Sequence, residues 1–141
     1  MITASKSVLG LDVGGKRVGV AVASMTARLP RPLATLEQGD HLLDSLGDIV
    51  KSEDVGAFVV GLPRGMEGQH TAQTAEAEAF AESIRSRFDL PVYMQDEAVT
   101  SKQAEEELKA RGKPYGRGDI DALAATYILQ DWLAGHRKGK P

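Results

Sequence analysis

The chain has 141 residues, of which 42% are hydrophobic and 26% charged, a composition typical of a globular protein with one hydrophobic core. It has no cysteine, which excludes disulfide bonds, thiolate metal sites and a cysteine nucleophile. Its net charge of -3 at pH 7 argues against a protein that coats nucleic acid with its whole surface. The opening residues MITASKSV contain no apolar segment of a secretory signal, and no apolar run approaches the roughly 20 residues of a membrane span, so we expect a cytoplasmic protein without membrane association.

A hairpin of two short strands is predicted near the start of the chain. Residues 8–13 and 18–23 are rich in apolar and β-branched side chains, and the sequence GGKR between them has glycines suited to a tight turn. In the first strand Leu9 and Leu11 alternate with Asp12, so this carboxylate points away from the apolar face. An acid inside a short apolar strand is therefore a candidate functional group.

Helices then alternate with strands. Residues 31–37 are predicted as a third strand, with Pro32 indicating an entry or edge position. Apolar residues spaced by three and four after residue 40 predict an amphipathic helix with Asp40 as its N-cap. The apolar run GAFVVGLP predicts a central parallel strand covered on both faces. The elements that follow are a helix over 71–88, a short strand over 90–97, a helix opened by a Thr100 and Gln103 capping box, and a last helix over 119–135.

This order of elements predicts the fold class. Three strands joined by short connections, followed by strands that alternate with helices, indicate an α/β fold with a mixed five-stranded sheet. Three antiparallel strands would come first, then parallel βα units, with helices on both faces. We expect a single domain over residues 1–141, with a short extension at 1–6 and a basic tail at 135–141.

Three acids lie where elements of the predicted sheet begin or end. Asp12 lies near the end of the first strand, Glu97 just beyond the last strand, and Asp121 in the first turn of the final helix. Reactive groups collect at such places because a rigid scaffold meets solvent there. If the three converge, they form an oxygen-only cluster suited to Mg²⁺ or Mn²⁺. Two such ions about 3.5 to 4 Å apart activate a water and stabilise the leaving oxygen in a phosphoryl displacement.

Each acid also has a purely structural interpretation. Asp12 would be a turn residue that bonds its own backbone ahead of the glycines. Glu97 would be an exposed loop acid, and its neighbour Asp96 competes for the proposed role. Asp121 would complement the helix dipole, with Asp119 as the N-cap of the last helix.

Five basic residues are candidates for binding nucleic acid. Lys16 and Arg17 lie at the predicted hairpin tip beside Asp12, where phosphate contacts would position a strand without reading its sequence. The loop RGMEGQHT combines Arg64 with the start of a helix, a plausible seat for a phosphate. Lys113 and Arg117 precede the last helix and would form a basic rim. The structural alternatives are a solvated turn, a flexible connection and an ordinary charged surface.

Four motifs carry a family resemblance. The stretch LGLDVGGKRVGVAVAS resembles the first motif of the YqgF family, also called RuvX, and VVGLPRGMEG resembles its second. DEAVTSKQAEEEL resembles its DERxT segment, and DIDALAATYILQDWL resembles its closing helix. The motifs follow one another in the family's order from about residue 8 to residue 133, which makes the resemblance specific.

The resemblance implies a ribonuclease H-like fold and a nuclease that processes the 5′ end of the precursor of 16S ribosomal RNA in ribosome biogenesis. Cleavage of DNA at Holliday junctions is a second role implied for the family. The family's metal-binding acids fall on Asp12, Glu97 and Asp121, with Mg²⁺ or Mn²⁺ as the cofactor, expected as two ions. The expected partner is nucleic acid, either precursor rRNA or a DNA junction, and the expected state is a monomer or homodimer.

Two positions depart from the family's pattern. Ala98 replaces the arginine of its DER segment, which would pair an acid or contact phosphate, and Glu67 stands where the family has aspartate. The missing arginine favours one alternative function, a non-catalytic RNA-binding module for ribosome assembly. A second alternative is a phosphotransferase of the actin and sugar-kinase type, because DVGGKRVGVAV also resembles its phosphate loop. That superfamily uses two lobes to enclose a nucleotide, and this chain has the length of one.

Overall fold

The computed structural model describes residues 5–65, 67–97 and 100–136. Their order of strands and helices is the predicted one. The elements are β1 (Ser7–Val13), β2 (Arg17–Ser24), β3 (Arg31–Glu37), α1 (Leu42–Ser52), β4 (Val55–Pro63), α2 (Ala72–Phe88), β5 (Val92–Glu97), α3 (Thr100–Arg111) and α4 (Arg117–Gly135). Within the described residues, no helix combines the length and apolar character needed to cross a bilayer.

The five strands form one mixed sheet in the order β3-β2-β1-β4-β5. The β1–β2 and β2–β3 pairs are antiparallel, whereas β4 runs parallel to both β1 and β5. The hairpin between β1 and β2 is closed by a 2.8 Å hydrogen bond from the Gly14 N–H to the Arg17 carbonyl. The predicted mixed sheet, the edge position of β3 and the internal position of β4 are therefore confirmed.

Alternation along β1 separates two apolar layers, one on each face of the sheet. Leu9 and Leu11 belong to the layer that includes side chains of α1 and α2. Val8 belongs to the layer formed with α4, and Asp12 lies on that same face because it is four residues further along the strand. Helix α3 packs on α4, so helices cover both faces as predicted.

Helix α4 lies directly on the sheet because glycines face it. A Cβ at Gly10 would stand 2.5 Å from Leu129 Cγ, and a Cβ at Gly61 would stand 2.5 Å from Ile128 Cδ1. A Cβ at Gly10 would also meet the Ala125 carbonyl at 2.9 Å, so a larger residue there would push the helix away from β1, whereas at Gly61 it would displace the Ile128 side chain. The glycines thus determine how closely the side chains of α4 approach the ends of the strands.

Two predicted helix caps are wrong. Helix α1 begins after His41 and not after Asp40, because the Leu42 N–H bonds to the Gly39 carbonyl and the chain makes a turn before the helix. Helix α4 begins after Gly116, and Asp119 is its third residue, whose carboxylate accepts a 2.8 Å bond from the Gly116 N–H. The predicted cap at Thr100 lies outside the described side chains, although the helix itself is present.

Candidate metal and nucleic-acid site

The three acids singled out from the sequence lie at one end of the sheet. Asp12 is the penultimate residue of β1 and Glu97 is the last residue of β5, and both strands run parallel to β4, so these ends point the same way. Asp12 is opposite Gly19 in the hairpin, and Gly19 contacts the backbone of Asp121 in the first turn of α4. The fold therefore brings Asp12, Glu97 and Asp121 to one region.

Asp12 is partly buried in this region without a matching positive charge. Burial, and to a smaller extent the nearby Asp121 carboxylate, together raise the pKa of Asp12 to about 6. An ionised carboxylate is disfavoured where water is excluded and another negative charge is close. A cation bound between the two side chains would lower the pKa of Asp12 and so offset both effects.

The pKa of Glu97 is raised more than that of Asp12. Burial, the contact with Asp131, and the charges of Asp12 and Asp96 together raise the pKa of Glu97 to about 8. Its Oε1 atom is buried and has no hydrogen-bond partner among the described residues. Because two ionised carboxylates cannot hydrogen-bond to each other, the contact between Glu97 and Asp131 requires a proton on one of them. A buried acceptor without a donor is also the type of atom that a cation would satisfy.

Sequence reasoning missed Asp131. The side chain of Ile128 packs over Gly61, and the Cβ position of the same glycine lies 3.7 Å from Glu97 Cγ. Asp131 follows Ile128 by three residues, so it lies one helical turn along the same side of α4. The three-residue spacing from an apolar position of the last helix was the sequence signal that could have placed Asp131 on the side of α4 that faces the sheet.

Asp121 is held by an arginine. The Nε atom of Arg17 donates to Asp121 Oδ2 at 2.6 Å, with 30% and 20% of the two side chains exposed. The sequence places Arg17 beside the acids and predicts a phosphate contact, whereas the structure has its guanidinium on one of the predicted metal ligands. The charge of Asp121 is therefore already balanced by a side chain of the protein, Arg17.

The three acids fit a hard divalent cation by chemistry, although their side chains do not surround a common point. Within the described ranges, no three acidic or histidine side chains converge tightly enough to hold a metal ion. The donors are carboxylate oxygens, the type that Mg²⁺ and Mn²⁺ prefer, and Glu97 Oε1 is buried without a partner. A bound cation would compete with Arg17 for Asp121 and with Asp131 for Glu97.

The competing acids have other partners. Asp96, with 70% of its side chain exposed, pairs with Arg64 at 3.3 Å, and Asp119 caps the start of α4. Strand alternation explains the first case, because Asp96 and Glu97 point to opposite faces of β5. Ala98 lies outside the described residues.

The predicted basic residues surround the same end of the sheet. Lys16 is exposed at the tip of the β1–β2 hairpin, Arg64 follows β4, and Lys113 and Arg117 are exposed around the start of α4. Of the five candidates, Arg17 makes the most buried ion pair among the described residues. Lys16, Lys113 and Arg117 leave exposed positive charge around an acidic centre, whereas Arg64 is half-buried and pairs with Asp96.

Comparison with known proteins gives the family. A family model described as "RuvX: Holliday junction resolvase" matches residues 6–135. A protein of Crocosphaera subtropica named "Putative pre-16S rRNA nuclease" is 40% identical over 135 residues, which cover 93% of this chain and 94% of the relative. A protein of the same name from Chloroflexus aggregans is 38% identical over 136 residues, covering 94% and 96%.

Two solved structures share the fold at low identity. The Thermus thermophilus RuvC in complex with a Holliday junction substrate superposes with a TM-score of 0.55 at 19% identity, covering 96% of this chain and 99% of that one. The fowlpox virus resolvase in its complex with Holliday junction DNA gives a TM-score of 0.52 at 12% identity, covering 94% and 99%. The fold is thus the ribonuclease H-like fold that the motifs imply. From the match over nearly the whole chain and the relatives at about 40% identity, the protein belongs to the RuvX family, also called YqgF.

Proposed function

We propose that this chain is a divalent-metal-dependent nuclease that hydrolyses phosphodiester bonds, with the 5′ end of the 16S rRNA precursor as its substrate. The observation that carries the proposal is the group of acids at one end of the sheet, where burial and neighbouring carboxylates raise the pKa of Asp12 to about 6 and that of Glu97 to about 8. Such uncompensated carboxylates are characteristic of functional sites. The names of the relatives support the substrate class.

Asp12, Glu97 and Asp121 would hold the cofactor, which we propose to be Mg²⁺ or Mn²⁺, as two ions. When bound, it would lower the pKa of a water molecule and neutralise charge on the phosphate. The strands β1 and β5 hold the backbones of Asp12 and Glu97 more firmly than loops would, so their side chains would converge on a cation from fixed positions.

The basic side chains around the acids would bind the phosphates of the substrate. Lys16, Arg64 and Lys113 come from three connections at the same end of the sheet, and Arg117 is the first residue of α4. Cations at these positions would attract a nucleic-acid strand and set its position over the carboxylates, independently of its sequence. A DNA four-way junction is the second candidate substrate, because the family description names such junctions. Action on precursor rRNA also implies a cytoplasmic location.

The test is cleavage of end-labelled RNA carrying the 5′ flank of 16S rRNA, beside a DNA four-way junction, with Mg²⁺ or Mn²⁺. We expect wild-type protein to cleave and Asp12→Asn to fall to the level seen with a chelator. Asp48→Asn, an exposed acid on α1, is the matched control and should cleave like wild type. Equal cleavage by wild type and Asp12→Asn would contradict the proposal. Binding of RNA without turnover in either metal would favour the non-catalytic assembly module.

A further inference from the structure

Arg17 and Lys16 are neighbouring cations with different environments. Lys16 is exposed at the hairpin tip, whereas Arg17 is partly buried and donates to Asp121 at 2.6 Å. The two residues carry the same charge at nearly the same place in the chain. Only Arg17 occupies an oxygen of an acid that is a proposed metal ligand.

The position of Arg17 follows from the hairpin. Its carbonyl accepts the 2.8 Å bond from the Gly14 N–H that closes the turn, so its backbone is fixed at the start of β2. Strand alternation puts the side chains of Arg17 and Gly19 on one face, and Gly19 meets the first turn of α4. The guanidinium is thereby placed beside Asp121 by two rigid elements.

The charge around Arg17 is unevenly compensated. Among the ion pairs of the described residues, none reaches Asp12, Glu97 or Asp131, and Arg17 is the cation that neutralises Asp121. A divalent ion coordinated by Asp121 would compete for the same carboxylate and would repel the guanidinium. Arg17 and a divalent ion would therefore compete for Asp121.

We propose that Arg17 is a placeholder cation: it holds Asp121 while the site is free of metal, and a bound divalent ion displaces it from the carboxylate towards the phosphate of the substrate. This inference rests on the proposed function, since it requires Asp121 to be a metal ligand. A guanidinium suits both states because its donors fit a carboxylate and a phosphate equally well. Arg17 is thus a positioning residue for Asp121 before it is a contact for substrate.

The inference predicts that loss of Arg17 changes the affinities for metal and for RNA in opposite directions. Arg17→Met removes the competitor, so metal should bind about tenfold more tightly in the absence of nucleic acid, whereas RNA should bind more weakly. Lys16→Met removes the same charge from an exposed position, where solvent and salt screen it. It should weaken RNA binding with less than about a threefold change in metal affinity.

The experiment measures Mn²⁺ binding to the full chain by calorimetry without nucleic acid, for wild type, Arg17→Met, Lys16→Met and Arg31→Met. Arg31 pairs with Glu53 at 3.1 Å away from the acids and controls for the loss of an arginine ion pair. Tighter binding confined to Arg17→Met supports the inference. Equal or weaker binding by Arg17→Met, with wild type still binding Mn²⁺, overturns the inference and leaves the proposed function intact.

A second measurement on unaltered protein covers the case in which Arg17→Met does not fold. The Arg17 Nε–H resonance should shift in nuclear magnetic resonance spectra as Mg²⁺ is added and should saturate with the same affinity as binding. A Nε–H signal that does not respond while Mg²⁺ binds overturns the inference. If neither metal binds wild type, the proposed function fails together with the inference, a result distinct from the other two.

Discussion

Gly19 on β2 lies so close to α4 that a Cβ at this position would stand 2.0 Å from the carbonyl oxygen of Asp121. The helix backbone therefore rests on the strand at the residue that carries a proposed metal ligand. Gly19 is also opposite Asp12 in the β1–β2 register. This one contact sets the height of Asp121 above the sheet and its distance from Asp12.

Replacing Gly19 should affect stability and activity together. Gly19→Ala forces the first turn of α4 off β2, and we expect it to lower the free energy of unfolding by about 1 to 3 kcal/mol. Because Asp121 moves with that turn, cleavage should fall strongly even below the melting temperature. Urea unfolding and cleavage assays on the same preparation measure the two effects.

Gly10→Ala is the matched control for this prediction. A Cβ at Gly10 would meet Leu129 Cγ at 2.5 Å and the Ala125 carbonyl at 2.9 Å, which are contacts with later turns of α4. We expect a similar loss of stability with a smaller loss of activity, because the strain falls away from Asp121. Equal losses of activity in the two variants would mean that the contact at Gly19 has no special role.

Replacing Asp12 should stabilise the metal-free protein. Burial and the Asp121 charge raise the pKa of Asp12 to about 6, so the folded protein holds this proton more tightly than the unfolded chain does. Ionisation of Asp12 therefore destabilises the folded state as the pH rises from about 4 to about 6, by at most about 3 kcal/mol once complete. Asp12→Asn cannot ionise and should be more stable than wild type at neutral pH, although inactive.

The pH dependence distinguishes this effect from a general change in packing. The difference in unfolding free energy between Asp12→Asn and wild type should be largest above the Asp12 pKa of about 6 and should vanish towards pH 4. Added Mg²⁺ should stabilise wild type more than the variant, because the ion compensates the carboxylate. A difference that stays constant across this range would show that ionisation of Asp12 is not its cause.

Asp119 and Asp121 should give opposite results although they are two residues apart. The carboxylate of Asp119 accepts from the Gly116 N–H at 2.8 Å, so Asp119→Ala should remove about 1 kcal/mol of stability and leave cleavage intact. Asp121→Asn keeps the helix start and should abolish cleavage. Thermal unfolding and cleavage rates of the two variants check this. If Asp119→Ala lost cleavage at a temperature where it is folded, Asp119 would belong to the site and the prediction would be wrong.

Most of the fold could be predicted because its signals are local. The β1–β2 hairpin follows from alternation around GGKR, and β4 follows from a continuous apolar run, so both are near their predicted places. Caps were less predictable, since the turn ahead of α1 and the early start of α4 depend on the path of the chain outside the helices.

The candidate site could be predicted only in part because its contacts are distant in sequence. Arg17 and Asp121 are separated by 104 positions, and their pairing depends on how closely α4 lies on β2. Asp96 and Glu97 are adjacent acids that strand alternation places on opposite faces. Which of them belongs with Asp12 is decided by the side of the sheet that α4 covers, and no local pattern contains that information.

The contact between Glu97 and Asp131 gives a prediction that needs no metal. Asp131 contributes to the high pKa of Glu97, about 8, through both a hydrogen bond and its charge. Asp131→Asn removes that charge, so the pKa of Glu97 should fall while burial still keeps it above its ordinary value. Titration of the Glu97 carboxyl carbon by nuclear magnetic resonance, assigned with Glu97→Gln, measures the change.

Asp96→Asn is the control, because Asp96 acts on Glu97 through charge alone and makes the smallest contribution to its pKa. It should lower the pKa of Glu97 less than Asp131→Asn does. An equal or larger shift in Asp96→Asn would mean that Asp131 does not share a proton with Glu97. If Asp131 does share it, cation binding at Glu97 must release that proton, so metal affinity should rise with pH up to the Glu97 pKa of about 8 and level off above it.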